Sequence, residues 1–187
     1  MCFNFEVSMG TFLTSWTISL YLLNKGITDQ QKEHIIFLMM FSSMQLVDAI
    51  LWYNGMKKNN VNYITTSFLV PLVLVLQILY KVFVVNDNKN TFITVFVAFY
   101  IGYIFYRFNG YSKSLCGSTL SSPIWGGKEL NILELIPFIL LILYPNYTTI
   151  LQVFALLFLI KILVGGAYGS LWCAIGNIMA LYYLYKY

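Results

Sequence analysis

Apolar residues run through this chain in seven continuous stretches, near Glu6–Asn24, His34–Gly55, Ile64–Val85, Thr91–Phe108, Asn131–Tyr144, Thr148–Gly165 and Gly169–Tyr185. None alternates apolar with polar positions, so the pattern predicts membrane-crossing helices rather than the strands of a barrel. The fifth stretch, at 14 residues, is shorter than the roughly 17 that a hydrocarbon layer requires. It is expected either to begin earlier, at Trp125, or to be re-entrant.

Turn formers and charges fill the breaks: Lys25-Gly26-Ile27-Thr28-Asp29, Lys57-Lys58-Asn59-Asn60, Asn86-Asp87-Asn88-Lys89-Asn90, Pro145-Asn146 and Gly165-Gly166. Only the connection Asn109–Leu130 is long, and its Gly, Ser, Pro, Trp and Lys content predicts an ordered cap. Residues 1–187 therefore read as one polytopic domain, an all-α seven-transmembrane-helix bundle with a capping loop between helices 4 and 5. No basic segment precedes the first stretch, which is expected to stay in place as an anchor rather than be cleaved as a signal peptide.

Composition supports lipid as the solvent. The chain is 59% hydrophobic and only 10% charged, whereas soluble domains carry about 25% charged residues; its mean hydropathy is +0.74. Seven crossings place the termini on opposite faces. If the N-terminal face is side A, basic residues distribute equally between the sides: Lys57, Lys58, Arg107, Lys113 and Lys128 on A, and Lys25, Lys32, Lys81, Lys89 and Lys186 on B. The positive-inside rule is then a tie. Lys25 and Lys32, following a first helix that no basic residue precedes, favour an N-terminus outside. Asn146-Tyr147-Thr148 matches a glycosylation pattern on side B, but so tight a turn holds Asn146 at the membrane surface, and the match reads as chance.

The net charge of +4 comes from scattered residues, without the basic cluster that anionic lipid or nucleic acid would select. Cys2, Cys116 and Cys173 lack metal-ligand spacing, and His34 is the single histidine. No metal or other cofactor is expected. All three cysteines map to side A, where three reduced thiols are the favoured reading over a Cys116 disulfide with either of the others.

Five ionisable groups within or bordering the spans fall in the side A half: Glu6, Asp48, Arg107, Glu134 and Lys161. Lys81 approaches from side B and snorkels. Asp48 lies ~10 Å below side A at the helical rise, and a carboxylate at that depth must be paired, protonated or wetted. Ser42, Gln45, Ala49 and Trp52 share its helical face, and Asn177 on the seventh helix reaches a similar ~12 Å. The candidate binding set is therefore Asp48, Gln45, Asn177, Lys161, Glu134 and Trp52, with Lys161 and Arg107 as cations for Asp48. A structural knot of Asp48, Gln45 and Asn177 is the competing reading.

Small residues mark helix contacts: Ser8, Thr11, Ser15 and Ser19 on the first helix, and Gly169, Cys173, Gly176 and Ala180 on the seventh. Pro71 and Pro137 each free a backbone carbonyl and can kink a helix. Tyr182-Tyr183-Leu184-Tyr185 has the composition of an interfacial anchor.

The abundance of Ile, Asn, Lys, Tyr and Phe, together with FSSMQLVDAILWY, GYSKSLCGSTLSSPIWGG and GSLWCAIGNIMALYYL, resembles polytopic membrane proteins encoded by mimivirus-like giant DNA viruses. That resemblance implies a host or virion membrane and no particular activity. The chain lacks the Pro-Gln dipeptide and the repeat of PQ-loop and SWEET-type transporters. It also lacks the seventh-helix lysine of microbial rhodopsins, because Lys161 falls in the sixth span.

The expected function is transport or binding of a small polar solute or proton in a polar intramembrane pocket on side A, with Asn109–Leu130 gating access. The alternative is a non-catalytic structural or assembly protein of a cellular or viral membrane. No motif sets a nucleophile beside a base, so an enzyme is not expected; the expected partners are the bilayer and that solute, with no nucleic acid.

Overall fold

The computed structural model describes residues 4–116, 121–155, 158 and 168–187. The chain is mostly helical. Helix α1 spans Phe5–Asn24, α2 Asp29–Tyr53 and α3 Asn60–Val85. Thr91–Arg107 forms α4 and Ile132–Leu143 forms α5. Helical backbone resumes at 150–155, here α6, and Tyr168–Lys186 forms α7. Two of these, α2 and α3, are long and apolar enough to cross a membrane.

Local chemistry sets the boundaries. Thr28 and Gln31 close a capping box at the start of α2, and Asn131 and Glu134 close another at α5, each satisfying backbone N–H groups that have no helical partner. The second box settles the start of the fifth stretch. The helix begins at Ile132 rather than Trp125, which lies instead in a 3₁₀ turn, Trp125–Gly127. With 12 residues, α5 would extend ~18 Å.

Pro71 does not break α3. A π turn at Thr65–Leu69 precedes it, and the Val70 N–H reaches back to the Thr65 carbonyl. Widening the turn by one residue accommodates a proline that has no N–H to return to the preceding turn. A second π turn, Tyr80–Val85, ends the helix.

Helices α1 and α2 run antiparallel. Tyr53, ending α2, meets the Phe5 ring at the start of α1, while Tyr187 at the far end meets Lys25 and His34. The N-terminal residue of α1 and the C-terminus therefore lie at opposite ends of the bundle. Helix α2 packs on α1, α3 and α7, and α3 packs on α4 and α5. Met44, Val47 and Leu51 of α2 share one core with Val70, Leu74 and Ile78 of α3, Ile104 of α4 and Phe138 of α5.

Small residues build the other seam. Ser8, Thr11, Ser15 and Ser19 are all buried, as the stripe on α1 predicts. On α7, Ala180 is buried, and a side chain added at Gly176 would come within 3.8 Å of Phe41 and Ser42. The surroundings of Gly169 and Cys173 lie outside the described residues, as do Cys2 and the side chain of Cys116.

Candidate functional site

The described residues of the capping loop are held against the helix ends by a network of polar contacts. Strands β1, Lys113–Cys116, and β2, Ser121–Ile124, pair antiparallel, with Lys113 opposite Ile124. The loop entrance is held by α3: the Asn62 amide donates to the Ser112 carbonyl at 3.0 Å and accepts from its N–H at 2.8 Å. Thr66 Oγ1 lies 2.7 Å from Ser112 Oγ, and Ser67 Oγ exchanges hydrogen bonds with the backbone of Gly110. Asn62, Thr66 and Ser112 are almost wholly buried, and each has partners, as buried polar groups require.

The loop exit is held by Arg107. Its Nε donates to Glu134 Oε1 at 2.7 Å, and its Nη2 donates to the carbonyls of Lys128 and Glu129. Glu134 Oε1 also accepts from Tyr103 at 2.6 Å, and Oε2 accepts from the Asn131 N–H. One ion pair thus joins α4, the end of the cap and the first turn of α5.

Between these anchors, Trp125 turns inward. Gly126 follows at φ 69°, a conformation costly for any residue with a Cβ. A Cβ there would also sit 3.1 Å from the Arg107 carbonyl, so glycine lets the turn lie directly on the end of α4. The indole packs edge-on against Phe108 with ring centroids 6.3 Å apart. Its Nε1 donates to Asp48 Oδ1 at 2.8 Å.

Asp48 is 1% exposed, and its second oxygen, Oδ2, has no hydrogen-bond partner. Among the described residues no cation pairs with it, since Arg107 is engaged by Glu134. No family model, curated protein or solved structure matches this chain. The chemistry of the site therefore rests on its own atoms: a buried carboxyl group with one oxygen held by a neutral donor and one free to take a proton or a donor.

The remaining expected residues divide. Asn177 does not join Asp48; its amide accepts from Ser15 and donates to Thr11, each at 3.2 Å, tying α7 to α1. Gln45 is fully buried with neither amide atom bonded, so the proposed knot of Asp48, Gln45 and Asn177 is not formed. Trp52 Nε1 is likewise without a partner. Glu134 lies with Arg107 at the cap rather than with Asp48, and Lys161 lies outside the described residues. Ser42 bonds back to the Leu38 carbonyl within its own helix.

Sequence reasoning missed Trp125, the direct partner of Asp48. The signal was Trp125-Gly126-Gly127, a large donor followed by two residues free to adopt positive φ, within a loop lying over the half that holds Asp48. The pair Asn62 and Thr66, one helical turn apart, was similarly legible as a polar face.

A cavity of 270 Å³ lies between α2, α4 and α5 and reaches α7. Its walls are almost entirely apolar, with Trp125, Arg107, Glu134 and Tyr103 among its lining.

Proposed function

We propose that this chain is a multi-pass integral membrane protein of seven spans in which Asp48 binds and releases a proton beneath the capping loop. Several apolar side chains support a lipid-facing exterior, among them Phe92 and Phe99 at 75% exposed, Leu151 at 78% and Ile178 at 66%. An outer surface of this kind is unfavourable in water. The observation that carries the site is the free Asp48 Oδ2, buried and without a cation. An acidic group so placed is a functional-site hypothesis by default.

A proton suits this site better than a larger polar solute. Asp48 does not line the apolar cavity, and Trp125 covers its other oxygen, leaving room for a change at one atom. Displacement of the Trp125 turn would open the carboxyl group to side A. The saturated contacts of Asn62, Thr66 and Ser112 favour a second reading, a structural or assembly protein whose cap is fixed.

Proteoliposomes with an entrapped pH-sensitive dye separate the two. Proton flux in wild type, abolished by Asp48→Asn with the fold retained, supports proton transfer. Absence of flux in wild type under imposed gradients of either sign removes it. Reporters fused to the two termini should give opposite compartment signals; equal signals would remove a span.

A further inference from the structure

Helices of two lengths share one core. The long pair, α2 and α3, has 25 and 26 residues, or ~37 and ~39 Å at the helical rise. Helix α4 has 17 residues and α5 only 12, or ~25 and ~18 Å. Helix α5 is tied at both ends and cannot slide. Arg107 holds Glu134 at one end; at the other, the Asn86 amide donates to the Tyr144 carbonyl at 2.8 Å and the Tyr144 hydroxyl donates to Asn88 at 3.2 Å.

Charge marks the same two levels. Lys128 and Glu129 are exposed where Arg107 gathers their carbonyls, and the Asp87–Lys89 pair, 80% and 84% exposed, precedes α4 at the opposite end. Between them α4 exposes Phe92, Val95, Phe96, Phe99, Tyr103 and Tyr106. From Phe92 to Tyr106 that face rises ~21 Å, against ~30 Å for a typical hydrocarbon layer. Tyr106 stands at its end, where interfacial anchors belong. The face is large and aromatic, without the small residues that draw helices together in lipid, so lipid fits it better than a second copy of the chain.

We infer, resting on the multi-pass reading of the chain, that the α4–α5 flank seats phospholipids of short acyl chain and thins the bilayer beside it. Tilting relieves a span that is too long, whereas a span that is too short draws the bilayer down to it. Chains of ordinary length would bring Asp87, Lys89, Lys128 and Glu129 into hydrocarbon, at a cost that grows with each ångström of mismatch.

The full chain in dimyristoleoyl and in dioleoyl phosphatidylcholine vesicles gives the test. Asp87→Asn with Lys89→Leu removes the charge of one rim and lengthens the apolar face; asparagine suits the φ of 42° at that position. The melting temperature of this variant relative to wild type should rise on passing from the shorter lipid to the longer. Lys57→Leu with Lys58→Leu, at the turn between the two long helices, should show no such rise. Copolymer discs cut from a mixed bilayer of the two lipids should carry wild type with the shorter lipid enriched over the starting ratio. A difference in melting temperature that ignores chain length, or an equal rise in the Lys57 and Lys58 variant, would overturn the short flank as its source. Discs at the starting ratio would overturn the lipid preference, and they decide it even if the variants do not fold. Wild type that cross-links as a dimer in the longer lipid alone would overturn lipid as the occupant. Wild type stripped from vesicles by alkaline carbonate would overturn the membrane reading itself, whereas retention without either chain-length effect overturns only the short flank.

Discussion

Trp125 donates its indole N–H to Asp48 across 77 residues of sequence, at 2.8 Å. The bond joins the cap to the middle of the bundle through a neutral donor rather than a counter-ion. Removing that donor should therefore be felt at the carboxyl group as well as in the loop. Trp125→Phe retains an aromatic ring against Phe108 but leaves Asp48 with neither oxygen bonded, a loss of about 1–3 kcal/mol. Asp48→Asn keeps an acceptor for the indole and should cost less. Because asparagine keeps the bond, the cycle is closed with Asp48→Ala: unfolding in detergent of Trp125→Phe, Asp48→Ala and the double variant should show a coupling above about 0.5 kcal/mol, and simple additivity would show that the contact contributes little.

Gly126→Ala tests how the turn is held. The added methyl must enter a positive-φ position and approach the Arg107 carbonyl at 3.1 Å. A loss of about 1–2 kcal/mol is expected for the backbone conformation alone, together with a red shift of the Trp125 fluorescence as the indole withdraws, read with Trp16, Trp52 and Trp172 replaced by Phe so that Trp125 alone emits. An unshifted spectrum would mean that the turn adapts without releasing the ring.

At the cap exit, Arg107→Met should be more damaging than Glu134→Gln. The arginine serves Glu134 and two backbone carbonyls, whereas glutamine keeps one oxygen that can still accept from Arg107 and Tyr103 and loses only the acceptor of the Asn131 N–H. Leaving one member of a buried pair alone costs about 3–5 kcal/mol, and the 23% exposure of Glu134 moderates that figure here. Melting temperatures of the two variants give the order, and the reverse order would show that the pair, not the carbonyl contacts, holds the loop.

Helix α7 offers a graded test. A methyl at Gly176 meets Phe41 and Ser42 at 3.8 Å, ordinary contact distance, so Gly176→Ala should be close to neutral. Gly176→Leu should overpack the seam by about 1–3 kcal/mol. Similar melting temperatures for the two variants would place this face against something soft.

The small-residue stripe of α1 and the burial of Asp48 were legible because both follow from helical spacing alone. The partner of Asn177 was not. Its depth matched that of Asp48, but depth leaves rotation about the helix axis open, and α7 turns Asn177 toward Thr11 and Ser15. The position of Trp125 was hidden for a different reason. Hydropathy reads an aromatic residue beside an apolar stretch as the start of a helix, whereas the capping box at Asn131 and Glu134 starts α5 at Ile132, well beyond Trp125, leaving the indole free to fold back.

The π turn of α3 lets one stripe of side chains serve two partners. Each residue of an α-helix advances the side-chain direction by about 100°, so positions four apart drift slowly round the axis; the wider turn offsets that drift, and Asn62 and Thr66 before the proline address the cap while Val70, Leu74 and Ile78 after it address the core. Deleting a single residue between Thr65 and Leu69 would leave regular α-helix with both sets still in place, whereas deleting one from the regular turns between Pro71 and Leu74 would rotate the cap-facing set by about 100° away from its partner. The register of α3 is thus the setting on which the cap's alignment over Asp48 depends.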